Sequence, residues 1–285
     1  MRKLFRPDEH HAFEDAVRDA KKNVDADIKK KSETVEFPSK WSAFKDIFVK
    51  AQRGKCGYCE GRVWGLQYGD IEHFQPKAEV HELSDNPDHW GRETPWESTV
   101  EQRKTENTLK PGYWWQAYEW SNYLISCQIC NQQWKKNLYP LKEPRTQPPH
   151  RDDCEQPLLL SPFLEDFDPA EHFEYGRLGE ISGKSEQGRA TIVTCGLDRP
   201  SLRLARYEQA KATHEHLDEI AGDITERDML EMLRYIKRDG DEARPYCGMV
   251  HTIFKQRTGL TWEQLSKLIS RLEASQTPER SLCNC

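Results

Sequence analysis

Over residues 10–31, apolar side chains recur every three or four positions (Ala12, Phe13, Ala16, Val17, Ala20, Val24, Ile28) among alternating acids and bases. That spacing gathers them on one face of an amphipathic helix. After the Pro38-Ser39 break a second helix is predicted, with Ser39 as cap, Trp41, Phe44, Ile47, Phe48 and Ala51 as buried stripe and Gly54 as its end. The period then shortens: residues 62–66 and 68–72 read as two short strands around turn glycines. From 76 to 111 no period is sustained, and Pro, Asp, Asn, Glu and Trp dominate; a connection of that length is usually functional or mobile. Residues 131–137 predict a short helix ended by Pro140, and 142–157 a proline-rich linker. Short strands or turns follow over 158–181. A long charged helical pattern runs from 201 to about 237 with a break near Gly222-Asp223, and two more helices are predicted over 245–257 and 261–274, the latter capped by Thr261. The tail Cys283-Asn284-Cys285 is expected to be disordered.

This is an α+β chain, mainly helical. Its expected divisions are an N-terminal helical segment (1–54), a core (55–145) with a long Trp/Pro-rich insert at about 75–118, a linker with short strands (146–200) and a C-terminal helical region (201–285).

Composition narrows the class. The 285 residues are 32% charged and only 36% hydrophobic, and no stretch approaches the roughly 20 apolar residues of a membrane span. The opening Met1-Arg2-Lys3-Leu4-Phe5 has no apolar signal region, so a cytoplasmic location is expected. Nine cysteines are an odd number and four of them sit in C-x-x-C pairs, which favours metal ligation over a disulfide scaffold. A net charge of -6 argues against a protein that coats nucleic acid, although a local field can still bind it. Beside the second C-x-x-C pair, residues 127–151 carry Lys135, Lys136, Lys142, Arg145 and Arg151 against the single acid Glu143.

The candidate chemistry lies in and between those pairs. Cys56 and Cys59, with Cys127 and Cys130, can close one tetrahedral zinc site, and four thiolates leave no open position, so that ion would be structural. The long separation is no objection, because loop-closure entropy grows slowly with length. Glu72 offers a hard oxygen to a divalent ion, and His73 a base that titrates near working pH. Neighbouring side chains on a strand face opposite ways, so the two can serve one site only at a strand end, which Gln75-Pro76-Lys77 would supply. Asn131, directly after the second pair, could add a neutral oxygen ligand, and Asn122 lies just upstream of that pair. Asp70 and His81 are reserve ligands. Among the tryptophans of the insert and its exit (Trp90, Trp96, Trp114, Trp115, Trp120), most should pack and one or two could stack on bases.

The order C-x-Y-C-E, then I-E-H-F-x-P-K, then Y-E-W-S-N-Y-L-x-x-C-x-x-C-N-x-x-x-K resembles the zinc-stapled branch of the HNH endonucleases, and more closely the HNH subunits found with retrons and the Septu anti-phage system. The likeness runs on through Leu159-Leu160-Ser161-Pro162 to Gly196-Leu197-Asp198-Arg199 and covers most of residues 41–206. It implies a ββα-metal core flanked by helices, and phosphodiester hydrolysis in nucleic acid, DNA favoured over RNA. It also implies control by a partner ATPase, for which the C-terminal helices are the expected docking surface. Under it His73 is the general base, Glu72 the first metal ligand, Asn122 the residue that orients the histidine and its loop, and Asn131 the replacement for the family's final metal-binding histidine. The four cysteines are its structural zinc ligands, and Lys135 or Lys136 would steady neighbouring phosphates. Two departures, glutamate for aspartate and asparagine for histidine, favour Mg2+ or Mn2+ as the catalytic ion. Two other functions remain open at this level: a stand-alone restriction-type endonuclease, and a zinc-dependent binding module that does not cut.

Overall fold

The computed structural model describes residues 1–32, 34–63, 69–84, 104–105 and 108–276. Part of the two strands expected within 62–72, Trp90, Trp96, residues 85–103 and 106–107 of the insert and the terminal Cys283-Asn284-Cys285 lie outside these residues.

The described chain is α+β, with eight α-helices and two two-stranded sheets among the described residues. Helix α1 (Phe13–Lys29) buries Phe13, Val17, Ala20 and Val24 of the predicted stripe, whereas Ala16 is exposed and Ala12 and Ile28 are half-buried. The segment after Pro38 starts as a 3-10 turn (Lys40–Phe44) and only then becomes α2 (Lys45–Ala51); Ser39 makes no side-chain cap. Phe13, Phe44 and Phe48 all meet Trp120, with ring centroids 4.5–5.9 Å apart, so α1 and α2 close over one aromatic core. Gly54 ends α2 at φ +66°, with its N–H on Val49 O.

Strand β1 (Gly69–His73) pairs antiparallel with β2 (Tyr123–Cys127), from Gly69 opposite Cys127 to His73 opposite Tyr123. β2 is a correction to the predicted elements: the two expected strands were neighbours in sequence, whereas β1 finds its partner beyond the whole insert. All five β2 residues are buried, so Tyr-Leu-Ile-Ser-Cys shows no alternation that would mark it as a strand. The described parts of the insert are anchored by bridges, Val80 with Leu109, Leu83 with Lys104 and His81 with Leu138.

The stretch expected as a short α-helix over 131–137 is a π-helix, Ile129–Lys135, whose closing bond runs from Lys136 N–H to Asn131 O at 2.7 Å. Further on come a short helix α3 (Pro169–His172) and a hairpin of β3 (Phe173–Tyr175) and β4 (Ile181–Gly183). A helix α4 (Glu186–Cys195) stands where only linker and short strands were expected. Its caps are legible in retrospect, since Ser185 Oγ accepts from Gly188 N–H and Gly196 takes φ +60°. Its buried side is Gly188, Ala190, Thr191, Thr194 and Cys195, too small and too β-branched to give a helical apolar signal. The C-terminal helices are α5 (Pro200–Ile220), α6 (Glu226–Asp239), α7 (Cys247–Thr258) and α8 (Trp262–Gln276). The predicted break falls between α5 and α6, and Thr261 caps α8 by a reciprocal pair of bonds with Gln264. Among the described residues no helix is long and apolar enough to cross a membrane.

Candidate metal centre and adjoining polar site

The first cysteine pair sits on a tight loop at the end of α2. Lys55 bridges Arg62, Cys56 N–H donates to Gly61 O, Glu60 N–H to Cys56 O, and Glu60 takes φ +63°. A Cβ at Gly57 would lie 2.7 Å from Leu124 Cδ1 and force that side chain to shift, and the Gly57 N–H reaches Ile125 O on β2 at 2.8 Å. The second pair straddles the junction of β2 and the π-helix. The four sulfurs lie within 4.8 Å of one another and all four residues are buried. Backbone N–H groups of Gly61 and Cys130 point at Cys59 Sγ and Cys127 Sγ, each at 3.4 Å. Four converging sulfurs, supported by amide donors, fit a tetrahedral metal ion, and the cluster is compatible with structural zinc. Arg199, quoted only as part of the family likeness, is the outer partner: its buried Nη1 donates to Cys130 Sγ at 3.5 Å and to Gly196 O at 2.8 Å.

β2 and the π-helix carry this centre's position to the polar residues. On β1, Asp70 and Glu72 share one face and meet two residues three apart on the π-helix. Gln132 Nε2 donates to Asp70 at 2.9 Å, and Lys135 Nζ lies 2.6 Å from Glu72 Oε1. Lys135 also donates to His73 O at 3.1 Å. Both members of the Glu72–Lys135 pair are buried, Lys135 completely. They meet as an ion pair without hydrogen-bond alignment at Oε1. Lys135 therefore does not face solvent as a phosphate ligand would; Lys136 is exposed. Arg145 is likewise drawn inside, 2.8 Å from Glu82 and 3.3 Å from Glu155, so the basic face expected over 127–151 is thinner than its sequence suggests.

His73 faces the other side of β1, edge-on to Trp41 and Tyr123. Its Nε2–H donates to Ala117 O at 2.9 Å, leaving Nδ1 as the lone-pair nitrogen, with Lys77 Nζ 3.5 Å away. Burial, and then Lys77, push its pKa well below the ordinary histidine value, so the ring is neutral at pH 7. Lys77 was quoted only as the end of a motif; its ammonium also lies 4.8 Å over the Trp41 ring, and burial lowers its own pKa. Asn122 clasps the loop that follows His73: Oδ1 accepts Gln75 N–H at 2.8 Å, and Nδ2 donates to Gln75 O and Gln116 O, each at 3.0 Å.

Asn131 lies half-buried in the π-helix, on the turn that delivers Lys135. The Glu72 carboxylate, expected with Asn131 to hold a divalent ion, is met at Oε1 by Lys135 instead of by a hydrogen-bond donor in line with it. Of the reserve ligands, Asp70 binds Gln132, and His81 is buried near Glu79, 3.5 Å away. Trp120 is core, while Trp114 and Trp115 are half-buried beneath the exposed Arg151 guanidinium, 4.8 and 5.8 Å from their centroids.

No protein-family model matches the chain. It is similar to the Septu protein PtuB of Bacillus mycoides (strain KBAB4), at 36% identity over 171 residues. The match takes in 59% of this chain, and the chain spans half the length of that relative.

Proposed function

We propose that this chain is an HNH-type endonuclease that hydrolyses phosphodiester bonds, with DNA favoured over RNA, and that it serves as the effector of a Septu-like anti-phage system restrained by a partner ATPase. The observation that carries the reading is the coupling of a buried four-cysteine cluster, through β2 and the π-helix, to the strand end that bears Glu72 and His73. The similarity to a Septu protein supports the defence role.

In this reading Cys56, Cys59, Cys127 and Cys130 hold zinc, whose part is structural. His73 is the base: its Nε2–H is fixed on Ala117 O, and the neutral ring keeps the Nδ1 lone pair to take a proton from water. Lys77, beside Nδ1, is better placed than Lys135 to meet an incoming phosphate, and its approach to one would free Nδ1. Asn122 holds the His73 loop in register. Glu72 and Asn131 would hold the Mg2+ or Mn2+ of this reading, which would supply charge stabilisation at the scissile phosphate.

A second reading is favoured by that same pairing: with Glu72 and His73 both buried and engaged, the fold could serve as a zinc-dependent binding module. Incubating the purified protein with supercoiled plasmid and Mg2+, with and without the product of its neighbouring gene, separates the two. Cleavage that falls by a factor on the order of 100 or more in His73→Ala supports the nuclease. Equal cutting by mutant and wild type removes His73 as base, and plasmid binding without cutting under every condition supports the binding module. Co-purification of an ATPase from the neighbouring gene would support the partner; a neighbour with no ATPase would remove it and leave the nuclease reading intact.

A further inference from the structure

We propose that Lys135 is the resident cation of the Glu72 site, and that a divalent ion reaches Glu72 only by displacing it. The inference rests on reading Glu72 as an ion-binding carboxylate of a nuclease. Lys135 Nζ stands 2.6 Å from Glu72 Oε1, at a fully buried position. A Mg2+ or Mn2+ ion bound to that oxygen would sit roughly 2.1 Å from it, which leaves ion and ammonium less than about 5 Å apart. Two positive centres that close, away from water, repel, and a single carboxylate carries too little negative charge to balance both, so the ion competes with the ammonium for it. Lys77, whose Nζ lies 3.5 Å from His73 Nδ1, adds to the local positive charge. The site as folded therefore has its charge balanced from within.

The backbone joins this displacement to a second event. Lys135 ends the π-helix in which Asn131 sits, and the closing bond of that turn runs from Lys136 N–H to Asn131 O at 2.7 Å, with Lys136 at φ +44°. A wide turn of this kind holds one residue more than an α-helical turn, and such turns recur at functional sites. Tightening it by one residue would rotate Lys135 off Glu72 and re-aim Asn131 in the same movement. The lysine that blocks the ion and the asparagine expected to hold it are thus two ends of one turn.

The test is the affinity of the full chain for Mn2+ alone, read from the paramagnetic resonance signal of free Mn2+, with no cleavage involved. Lys135→Met should bind Mn2+ roughly 10- to 100-fold more tightly than wild type, the size of effect that neighbouring side chains have on metal affinity. Lys135→Arg, which keeps the charge, should stay as weak as wild type, and Glu72→Gln/Lys135→Met should lose the gain. Equal affinity in Lys135→Met and wild type overturns the proposal, as does a gain that survives in the double variant. Zinc content near one equivalent checks that each variant is folded. Should Lys135→Met fail to fold, acylation of lysines in the wild type, mapped by mass spectrometry, decides. Lys135 should be unreactive without Mn2+ and reactive at Mn2+ concentrations that bind, and a lysine that stays protected while Mn2+ is bound overturns the displacement. Plasmid cleavage by the wild type, measured separately, tests the nuclease reading itself, so the two can fail independently.

Discussion

Asn122 bonds both backbone groups of Gln75, accepting its N–H at 2.8 Å and donating to its carbonyl at 3.0 Å. A side-chain amide thus does for one residue what a neighbouring strand would do, at the point where β1 stops and the ladder no longer holds the chain. Asn122→Ala leaves the Gln75 N–H and carbonyl without protein partners, while Gln116 O keeps the Glu119 N–H. It should cost about 2–4 kcal/mol, given about 1–3 kcal/mol for each buried group left unsatisfied and some rescue by water. Urea unfolding measures the cost, and hydrogen exchange should show the Gln75 amide losing its protection. Unchanged protection there would mean that the loop is held by something else.

The cysteine centre should contain about one equivalent of zinc in the purified protein, and Cys127→Ser should lose both the metal and the cooperative unfolding transition. A wild type that is folded and metal-free would contradict this.

Arg199 makes a finer case. Burial works against its charge, but the thiolates of Cys130, Cys59 and Cys127 outweigh burial and raise its pKa further. Arg199→Met should weaken zinc retention roughly 10- to 100-fold against a chromophoric chelator, with Arg199→Lys between the two.

His73 sets a pH dependence whose sign is fixed. Its pKa in the folded protein lies well below that of the unfolded chain, so the unfolded state binds more protons in the window between them. Stability from this residue is present above about pH 6.5, the ordinary histidine value, and is lost as pH falls through that window. Melting temperatures between pH 7.5 and 5 should therefore fall less steeply in His73→Gln than in wild type. Parallel slopes would show that the ring is not held neutral by the fold.

Gln52 is a buried latch between α2 and β2. It accepts Ile125 N–H at 2.7 Å and donates to Ile125 O at 2.9 Å and Lys55 O at 3.0 Å. Gln52→Leu, which keeps the volume and removes the bonds, should cost about 2–4 kcal/mol, checked by denaturant midpoint at constant slope.

The helices were legible where a periodic apolar stripe or a polar cap marked them, as the stripe of Phe13, Val17, Ala20 and Val24 does in α1 and Thr261 does in α8. α4 was not, because its packed side is glycine, alanine, threonine and a single cysteine. β2 was not, because a strand buried on both faces carries no period of two, and its partner lies across an insert that sequence separation hides. The four cysteines were read from spacing alone, and the structure brings them together. The ionic pairing was beyond reach: nothing in the order of residues says that Lys135 turns inward while Lys136 stays in solvent, since one residue of extra winding in the π-helix makes that choice.

The two ends of β1 are fastened by unlike means, thiolates near Gly69 and the Asn122 amide beyond His73. Because strand side chains alternate, a slip of a single residue would send Glu72 among the aromatic rings and His73 towards the lysine. Fastening at both ends prohibits that slip. Metal at the cysteines would therefore act as a ratchet pawl on the strand: it decides which side chain faces which wall. A partial loss of zinc should then yield molecules that are compact but wrongly indexed and without the cooperative transition of the zinc-bound protein, a population distinct from extended chain.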